Sequence, residues 1–331
     1  MHEEGFKLAR VTGNGEVAIH TTIFTADYVS RAENLAALCY EEERMHVPIL
    51  PQMISVPDLS AYAAEQRGVV AIAGDTLLGF LCWEKPRKPF FGDCLGAWTP
   101  VHAHGAIGEN HREIYDYLYQ HMAEMHVKER IMTHAVTFYA HHADGIDIFF
   151  NNGFGMRCID AIRTTEGIGS KRSDGVSLRH AEIGDASAIA EMNNALVDHL
   201  NKSPLFMAYY GHFSPEDILH GMSEGKYQYM VALRGDRLVS YLRLQETGEN
   251  FAADDARVWN ISGAYTITSE RGSGVSTALL DWTLLHLRDE GYSLCGVDYE
   301  SINPTARRFW QKYFTPYTYS LVRRIDERIR S

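Results

Sequence analysis

Arg271, Gly272, Ser273, Gly274, Val275 and Ser276 follow one another in a turn whose residue types suit the binding of a phosphate diester. Backbone N–H groups in such a turn converge on an anion, and a following helix N-terminus adds partial positive charge. Two glycines keep side chains away, so the anion can approach the backbone closely. Further on, Asp298, Tyr299 and Glu300 sit in succession, then Asn303, then Tyr313. Carboxylates could take a proton from a nucleophile, and a phenol could return one to a leaving group. Asp298 and Glu300 share one strand face if the segment is extended.

The flanking residues set these groups in place. A β-branched and aromatic run over 257–268 precedes the turn, and the apolar stretch Thr277–Arg288 follows it. A strand is expected near 293–300, and Asn303-Pro304 begins a helix with Asn as N-cap and Pro as first residue. The pattern predicts further strands near 176–180, 228–234, 237–245 and 316–325. Helices are expected near 185–201, 215–224, 275–290 and 304–313. Ser214 and Pro215 give the second of these a cap and first residue. Helix 185–201 places Ile189, Met192, Leu196 and Leu200 on one face, and Gly291 suits the end of helix 275–290.

The turn has the form Arg-x-x-Gly-x-Ser, which resembles the [Gln/Arg]-x-x-Gly-x-[Gly/Ala] pyrophosphate loop of the GNAT superfamily of acyl-CoA N-acyltransferases. Asn303-Pro-Thr-Ala306-Arg-Arg-Phe309-Trp310-Gln-Lys-Tyr313-Phe314 resembles that family's Asn-x-x-Ala-x-x-[Phe/Leu]-Tyr-x-x-x-Gly-Phe helix. The resemblance covers roughly residues 176–326. It implies acetyl-CoA or a related acyl-CoA as co-substrate, held by Tyr265, Ile267, Arg271, Gly272, Ser273, Gly274, Val275, Ser276 and Asn303. Capping alone also explains Asn303. Two departures stand out. Ser276 replaces Gly or Ala, and Trp310 replaces the Tyr that in many members protonates the departing thiolate. An indole N–H is no useful acid, so Tyr313 or Tyr299 could substitute, or water could protonate the thiolate directly, with Glu300 a candidate base. Arg307 and Arg308 read as exposed helix charges in preference to ligands of a 3′-phosphate.

The same order of elements recurs on both sides of a Gly- and Ser-rich linker at 164–175. Val70-Ala-Ile-Ala-Gly-Asp-Thr-Leu77 matches Val231-Ala-Leu-Arg-Gly-Asp-Arg-Leu238, each a hairpin with a Gly-Asp turn. Gly96-Ala-Trp-Thr99 matches Gly263-Ala-Tyr-Thr266, and Phe149–Phe154 matches Phe309–Phe314. Ser55-Val-Pro-Asp and Ser214-Pro-Glu-Asp both read as helix starts. Helix 109–128, with Ile114, Leu118, Met122 and Met125 as its apolar stripe, and strand 131–140 complete the first copy. This predicts an α/β chain of two tandem GNAT-like domains, 1–165 and 172–331. Each would be a mixed, mostly antiparallel twisted sheet flanked by helices.

In the first copy the matching loop is Pro100–Asn110. Aligned on the Gly-Ala-aromatic-Thr match, His104 stands opposite Arg271 and Ile107 opposite Gly274; aligned on the Phe149–Phe154 match, Ala143 stands opposite Asn303. The first copy is therefore expected to have a degenerate cofactor site, unless a shifted register brings His102, Gly105 and Gly108 into use. His102, His104, His111, His134, His141 and His142 lack a complementary carboxylate or cysteine at ligand spacing, so no metal is expected and they read as polar residues around a vestigial cleft.

At 331 residues with a net charge of −12, the chain is long enough for two domains and lacks the basic footprint of a nucleic-acid binder. Five unpaired-looking cysteines point to reduced thiols. No apolar run spans a membrane, and the N-terminus lacks signal-peptide features, so a cytoplasmic location is expected. The expected activity is transfer of an acetyl or short acyl group to an amine of a small molecule or peptide. Residues 197–222 would contribute to the acceptor pocket. The alternative is a non-catalytic acyl-CoA-binding module. Monomer and homodimer both stay open. A dinucleotide-binding fold is disfavoured, since no Gly-x-Gly-x-x-Gly turn follows an early strand.

Overall fold

A computed structural model describes residues 7–8, 19–52, 55–170, 174–208 and 211–329. The N-terminal residues 1–6, part of the linker (171–173) and two residues of the expected acceptor region (209–210) lie outside the described residues. The chain forms two compact units, 1–159 with 317–331, and 160–316.

Unit 1 contains β1 (Lys7–Leu8), β2 (Ile19–Ile23), α1 (Val29–His46), α2 (Ser60–Ala64), β3 (Gly68–Ala73) and β4 (Thr76–Cys82). It continues through β5 (Leu95–Thr99), β6 (His104–Ala106), α3 (His111–Lys128), β7 (Ile131–Tyr139) and α4 (Ala143–Asn151). β8 (Gly155–Thr164) carries the chain into unit 2. Strands β1, β2, β3, β4 and β6 form one sheet in that order. β5 runs parallel to β7. The C-terminal strand β14 (Thr315–Arg324) pairs antiparallel with β7 from Thr318↔Tyr139 to Arg324↔Thr133. The C-terminal residues thus complete unit 1, an exchange invisible to a division at the linker.

Unit 2 holds β9 (Val176–His180), α5 (Ala186–Leu200), α6 (Pro215–Ser223), β10 (Gln228–Arg234), β11 (Arg237–Gln245), β12 (Val258–Thr266), α7 (Val275–Asp289), β13 (Leu294–Glu300) and α8 (Pro304–Trp310). The order β13-β12-β11-β10-β9 is antiparallel except for the parallel β12–β13 pair. These spans follow the expected ones to within a few residues. Ser214 Oγ accepts from the Asp217 N–H, and the Asp217 carboxylate accepts from the Ser214 N–H, which closes the cap of α6. Gly291, with φ +94°, ends α7. The Asp281 carboxylate of α7 accepts from the backbone N–H groups of Ile168, Gly169 and Ser170, which fastens that part of the linker.

The two units share details finer than element order. Each hairpin turns at a Gly with positive φ, Gly74 at +58° and Gly235 at +60°. Each has its register shift two residues before that turn, between Ala71 and Ile72 and between Ala232 and Leu233. One expected correspondence fails: residues 55–58 are not helical, and α2 begins at Ser60, where the Asp58 carboxylate accepts from the Ser60 N–H. Ser55 is followed by Val56-Pro57, and the residue before proline is steered to extended backbone.

Each unit has its own core. In unit 1, Ile114, Tyr115, Leu118, Tyr119 and Met122 of α3 pack with Val69, Leu81, Val136, Phe138, Phe149 and Leu321. In unit 2, Ile189 and Met192 of α5 pack with Ile218, Val231, Leu238 and Tyr241. Among the described residues, no helix is long and apolar enough to cross a membrane.

Candidate active site

β12 pairs with two different neighbours along its length. Val258–Ile261 run parallel to Leu294–Val297 of β13, and Ile261 is the last such pair. From Gly263 to Thr266 the strand pairs only with β11. Beyond Ile261 and Val297 the two strands part, so the β13-facing amides of β12 lose their strand partners. The register with β11 also slips at this point, from Leu244↔Ile261 to Arg243↔Gly263, which leaves Ser262 as an inserted residue.

The parting opens a cleft in unit 2. One lobe of about 200 Å³ is lined by Ser262, Gly263 and Ala264 on one wall and Val297, Asp298, Tyr299 and Glu300 on the other. Leu196, Leu200, Met207 and Phe213 give it an apolar end. Leu196 and Leu200 are thus half-buried cleft residues, whereas Val197 takes the fully buried position on α5. A second lobe of about 290 Å³ is lined by Tyr265, Thr266, Arg271, Gly272, Ser276 and Phe309. Leu196, Ala264, Asn303, Ala306 and Trp310 line both lobes, so the two adjoin.

The loop from Ile267 to Gly274 bridges β12 and α7. It includes one 3-10 turn at Thr268–Glu270. Gly272 has φ +83° and Gly274 +89°, the left-handed region that favours glycine. A Cβ on either would meet nothing within 4 Å, so both face open space. Gly274 is the N-cap of α7 without a capping side chain. The Val275 N–H donates to Ser273 Oγ at a long 3.4 Å, and the N–H groups that follow it in the first turn lack an intrahelical acceptor and can turn to an anion. Arg271 donates from Nε to the Thr266 carbonyl at 3.2 Å and lies over the Tyr265 ring at 5.5 Å. Ser276 shares a hydrogen bond with Thr266 Oγ1 at 2.7 Å. These residues fit a pyrophosphate: open backbone, exposed guanidinium and no carboxylate lining that lobe.

Asn303 Oδ1 accepts from the N–H groups of Thr305 and Ala306 and from Thr305 Oγ1, so it caps α8 and borders the cleft together. Trp310 is buried, with Phe309 and Phe314 edge-on to it. Tyr299 and Glu300 line the first lobe beside Asp298. Tyr313 borders neither lobe; its hydroxyl stands 3.4 Å from Thr277 Oγ1. Arg307 and Arg308 are exposed and donate to the carbonyls of Ser301 and Pro304.

Electrostatics single out Asp298. Burial, then the charges of Glu249, Asp160 and Glu300, push its carboxyl up to about 8, and Arg243 opposes them. Sequence reasoning reached Asp298 but missed Arg243 on β11 and Asn193 on α5. Asn193 Oδ1 accepts from the Tyr241 hydroxyl at 2.8 Å and borders the first lobe. Gly263 in mid-strand was the legible sign of the bulge.

The sequence profile of the acetyltransferase (GNAT) family matches residues 194–314, the span that contains the loop and, Asn193 apart, the lining of both lobes. Residues 194–314 form a GNAT domain. The whole chain also resembles the GCN5-related N-acetyltransferase of Sphaerobacter thermophilus, with 13% identity, TM-score 0.54, and 92% and 95% of the two chains covered. At that identity the likeness is one of fold. Similar solved structures include a tandem GNAT protein from the clavulanic acid biosynthesis pathway (13% identity, TM-score 0.46, 92% and 98% covered). Another is a GCN5-related N-acetyltransferase from Kribbella flavida (12% identity, TM-score 0.43, 87% and 95% covered). No curated protein matches the chain. The likeness to the Sphaerobacter thermophilus structure spans both units, and the chain is an α/β protein of two tandem GNAT-like units.

Unit 1 differs from the GNAT domain where the loop belongs. Leu81 and Leu242 lie equally far beyond their hairpin glycines. Leu81 pairs with His104, and Leu242 with Ala264. His104, Gly105 and Ala106 therefore correspond to Ala264, Tyr265 and Thr266, and His104 does not stand opposite Arg271. The Gly96–Thr99 match is displaced likewise: those residues pair parallel with β7 as Val258–Ile261 pair with β13. Repeated small and aromatic residues drew the two strands into a false register. Residues 107–110 alone separate β6 from α3, against 267–274 in the GNAT domain.

His104 is buried, with its ring nitrogens at Tyr115 OH and the Thr137 carbonyl, both 2.8 Å. His134 is buried against Tyr119 OH and the Ile131 carbonyl. These two are core residues and not the lining of a cleft. His141 Nδ1 stands 2.8 Å from the buried Glu43 carboxylate. Among the described residues, no group of three or more His, Cys, Asp or Glu is placed to hold a metal ion.

Proposed function

We propose that the GNAT domain transfers an acetyl or short acyl group from acyl-CoA to an amine of a small molecule or peptide. One observation carries the reading: the open, left-handed Gly272–Gly274 loop adjoins the cleft where β12 and β13 part. The loop amides, α7 N-terminus and Arg271 would take the pyrophosphate in the second lobe. The thioester would then reach the first lobe, where β12 amides without strand partners can donate to its carbonyl oxygen and to the charge that develops there.

In this reading the amine enters the acidic wall of the first lobe. An amine arriving as a cation must lose a proton before its lone pair attacks the carbonyl carbon. Ionised Asp298 would take that proton, directly or through water, with Glu300 beside it. The new C–N bond forms as the C–S bond breaks, the sulfur leaves with the electron pair, and the nitrogen then releases its second proton, which makes good the one given to sulfur. Tyr299, on the cleft wall, is better placed than Tyr313 to return a proton to sulfur. Most of the acceleration comes from holding the amine and thioester together.

Thiol release from acetyl-CoA across a panel of primary amines tests the activity. Amine-dependent thiol release is expected, and Tyr299→Phe should lower kcat by about 100-fold with little change in KM for acetyl-CoA. Acetyl-CoA binding without release on any amine would instead support a binding module, the reading that Trp310 at the usual acid position favours.

A further inference from the structure

We infer that Arg243 is a positioning residue that fixes the Ser262 bulge at the mouth of the strand split; this rests on the acyl-transfer reading above. Arg243 lies on β11 opposite Gly263. Its Nη2 donates to the Ser262 carbonyl at 2.7 Å, and its Nε donates to Ser262 Oγ at 3.1 Å. Its guanidinium covers the Tyr227 ring at 4.7 Å. Two bonds to Ser262, a ring against its face and a hydrogen bond with Tyr229 thus hold this planar group.

Ser262 needs such a partner. As the inserted residue it has no partner in the β11 ladder, and β13 has already parted. A bulge without a second anchor is free to rock, and the neighbouring Gly263 and Ala264 would rock with it. Those two residues line the lobe assigned to the thioester. Gly263 leaves the room required, since a Cβ there would stand 3.3 Å from Arg243 Nε. A lysine cannot reproduce the fork, because its ammonium is a point charge without fixed donor geometry.

Arg243 also acts through charge. Asp298 faces Glu300 from its own strand, Asp160 from β8, Glu249 from the segment after β11, and Arg243 from β11. Arg243 is the cation that favours the ionised form of Asp298 against three anions. The fork and the charge are separable by substitution: Arg243→Lys keeps the charge and loses the fork, and Arg243→Met loses both.

The test is the infrared carbonyl band of acetyl-CoA, 13C-labelled at the carbonyl, bound to the parent and to both variants. It is paired with calorimetric affinity, thermal unfolding and the pH profile of turnover. In the parent the bound band should lie below that of free acetyl-CoA. Both variants should lose at least half of that displacement while Kd for acetyl-CoA changes less than about threefold, because the pyrophosphate loop is untouched. The acid limb of the pH profile should stay in place in Arg243→Lys and move up by about one pH unit in Arg243→Met. Ser262→Ala, which deletes only the Nε contact, should lose a smaller part of the displacement and covers the case of an unfolded Arg243 variant. Folded variants with the parent's band position overturn the role of Arg243 and leave acyl transfer standing. A parent chain that does not bind acetyl-CoA overturns the acyl-transfer reading and the inference with it.

Discussion

The hydroxyls of Thr266 and Ser276 stand 2.7 Å apart, and Ser240 Oγ reaches Thr266 Oγ1 at the same distance. A chain of three hydroxyls therefore ties the end of β12 to β11 and to the first turn of α7. The Ser at a position where Gly or Ala is usual thus makes a structural bond within the protein.

Ser276→Ala should accordingly cost about 1 kcal/mol of stability, the usual net value of one hydrogen bond. It should change acetyl-CoA affinity by less than about tenfold. Denaturant unfolding and calorimetry check the pair of effects. A large loss of affinity with unchanged stability would place the Ser276 hydroxyl on the ligand instead.

Asp298 sets a pH dependence with an unusual sign. Its folded value of about 8 lies above the ordinary carboxyl value. Between about pH 4 and pH 8 the folded state holds a proton that the unfolded chain has released, so this group's contribution falls as pH rises through that window. Asp298→Asn should raise the unfolding temperature more at pH 8.5 than at pH 5. It should also abolish the acid limb of kcat/KM near pH 8, with turnover reduced by about 100-fold or more. An unchanged pH profile in the variant would remove Asp298 from the role of base.

Unit 1 should respond to acid in the opposite direction. Burial lowers His102, His134 and His142 to about 4 and His104 to about 3, and His126 also falls well below its ordinary value. Below about pH 6.5 the unfolded chain protonates these rings while the folded chain keeps them neutral, so their contribution to stability falls as pH drops toward 4. Asp298 and the buried Glu43, whose carboxyl is raised by desolvation, pull the other way but are fewer. Unfolding followed between pH 7 and pH 5 should show net proton uptake. Stability that rises over that interval would contradict the burial of these histidines.

Ligand stoichiometry tests the asymmetry of the two units. Four residues between β6 and α3, where the GNAT domain has eight, leave no room for an equivalent of the Arg271–Gly274 segment. One acetyl-CoA should bind per chain in a calorimetric titration. Saturation at two equivalent sites would show that unit 1 holds the cofactor by another route.

The repeat, the hairpins and the loop were legible because each rests on local chemistry. Gly-Asp turns, the Ser214-Pro215 and Asn303-Pro304 caps and the Gly272–Gly274 spacing act within a few residues. What escaped notice depends on partners distant in sequence. The placement of β14 beside β7 involves residues about 185 apart, and nothing within Thr315–Arg324 states its neighbour. Arg243 looks like any strand arginine until Ser262 is known to be the inserted residue. The false register of His104 arose because Gly-Ala-aromatic-Thr suits either end of a split strand.

The most direct test of the central claim is a calorimetric titration of acetyl-CoA into the parent chain and into Gly274→Val. A β-branched residue at φ +89° is strained, and its side chain would occupy the open space before α7. The account predicts one-to-one binding in the parent and an affinity lower by about 100-fold or more in a variant that stays folded, roughly 2.7 kcal/mol. Undiminished affinity in a folded Gly274→Val variant would contradict the assignment of this loop to the pyrophosphate.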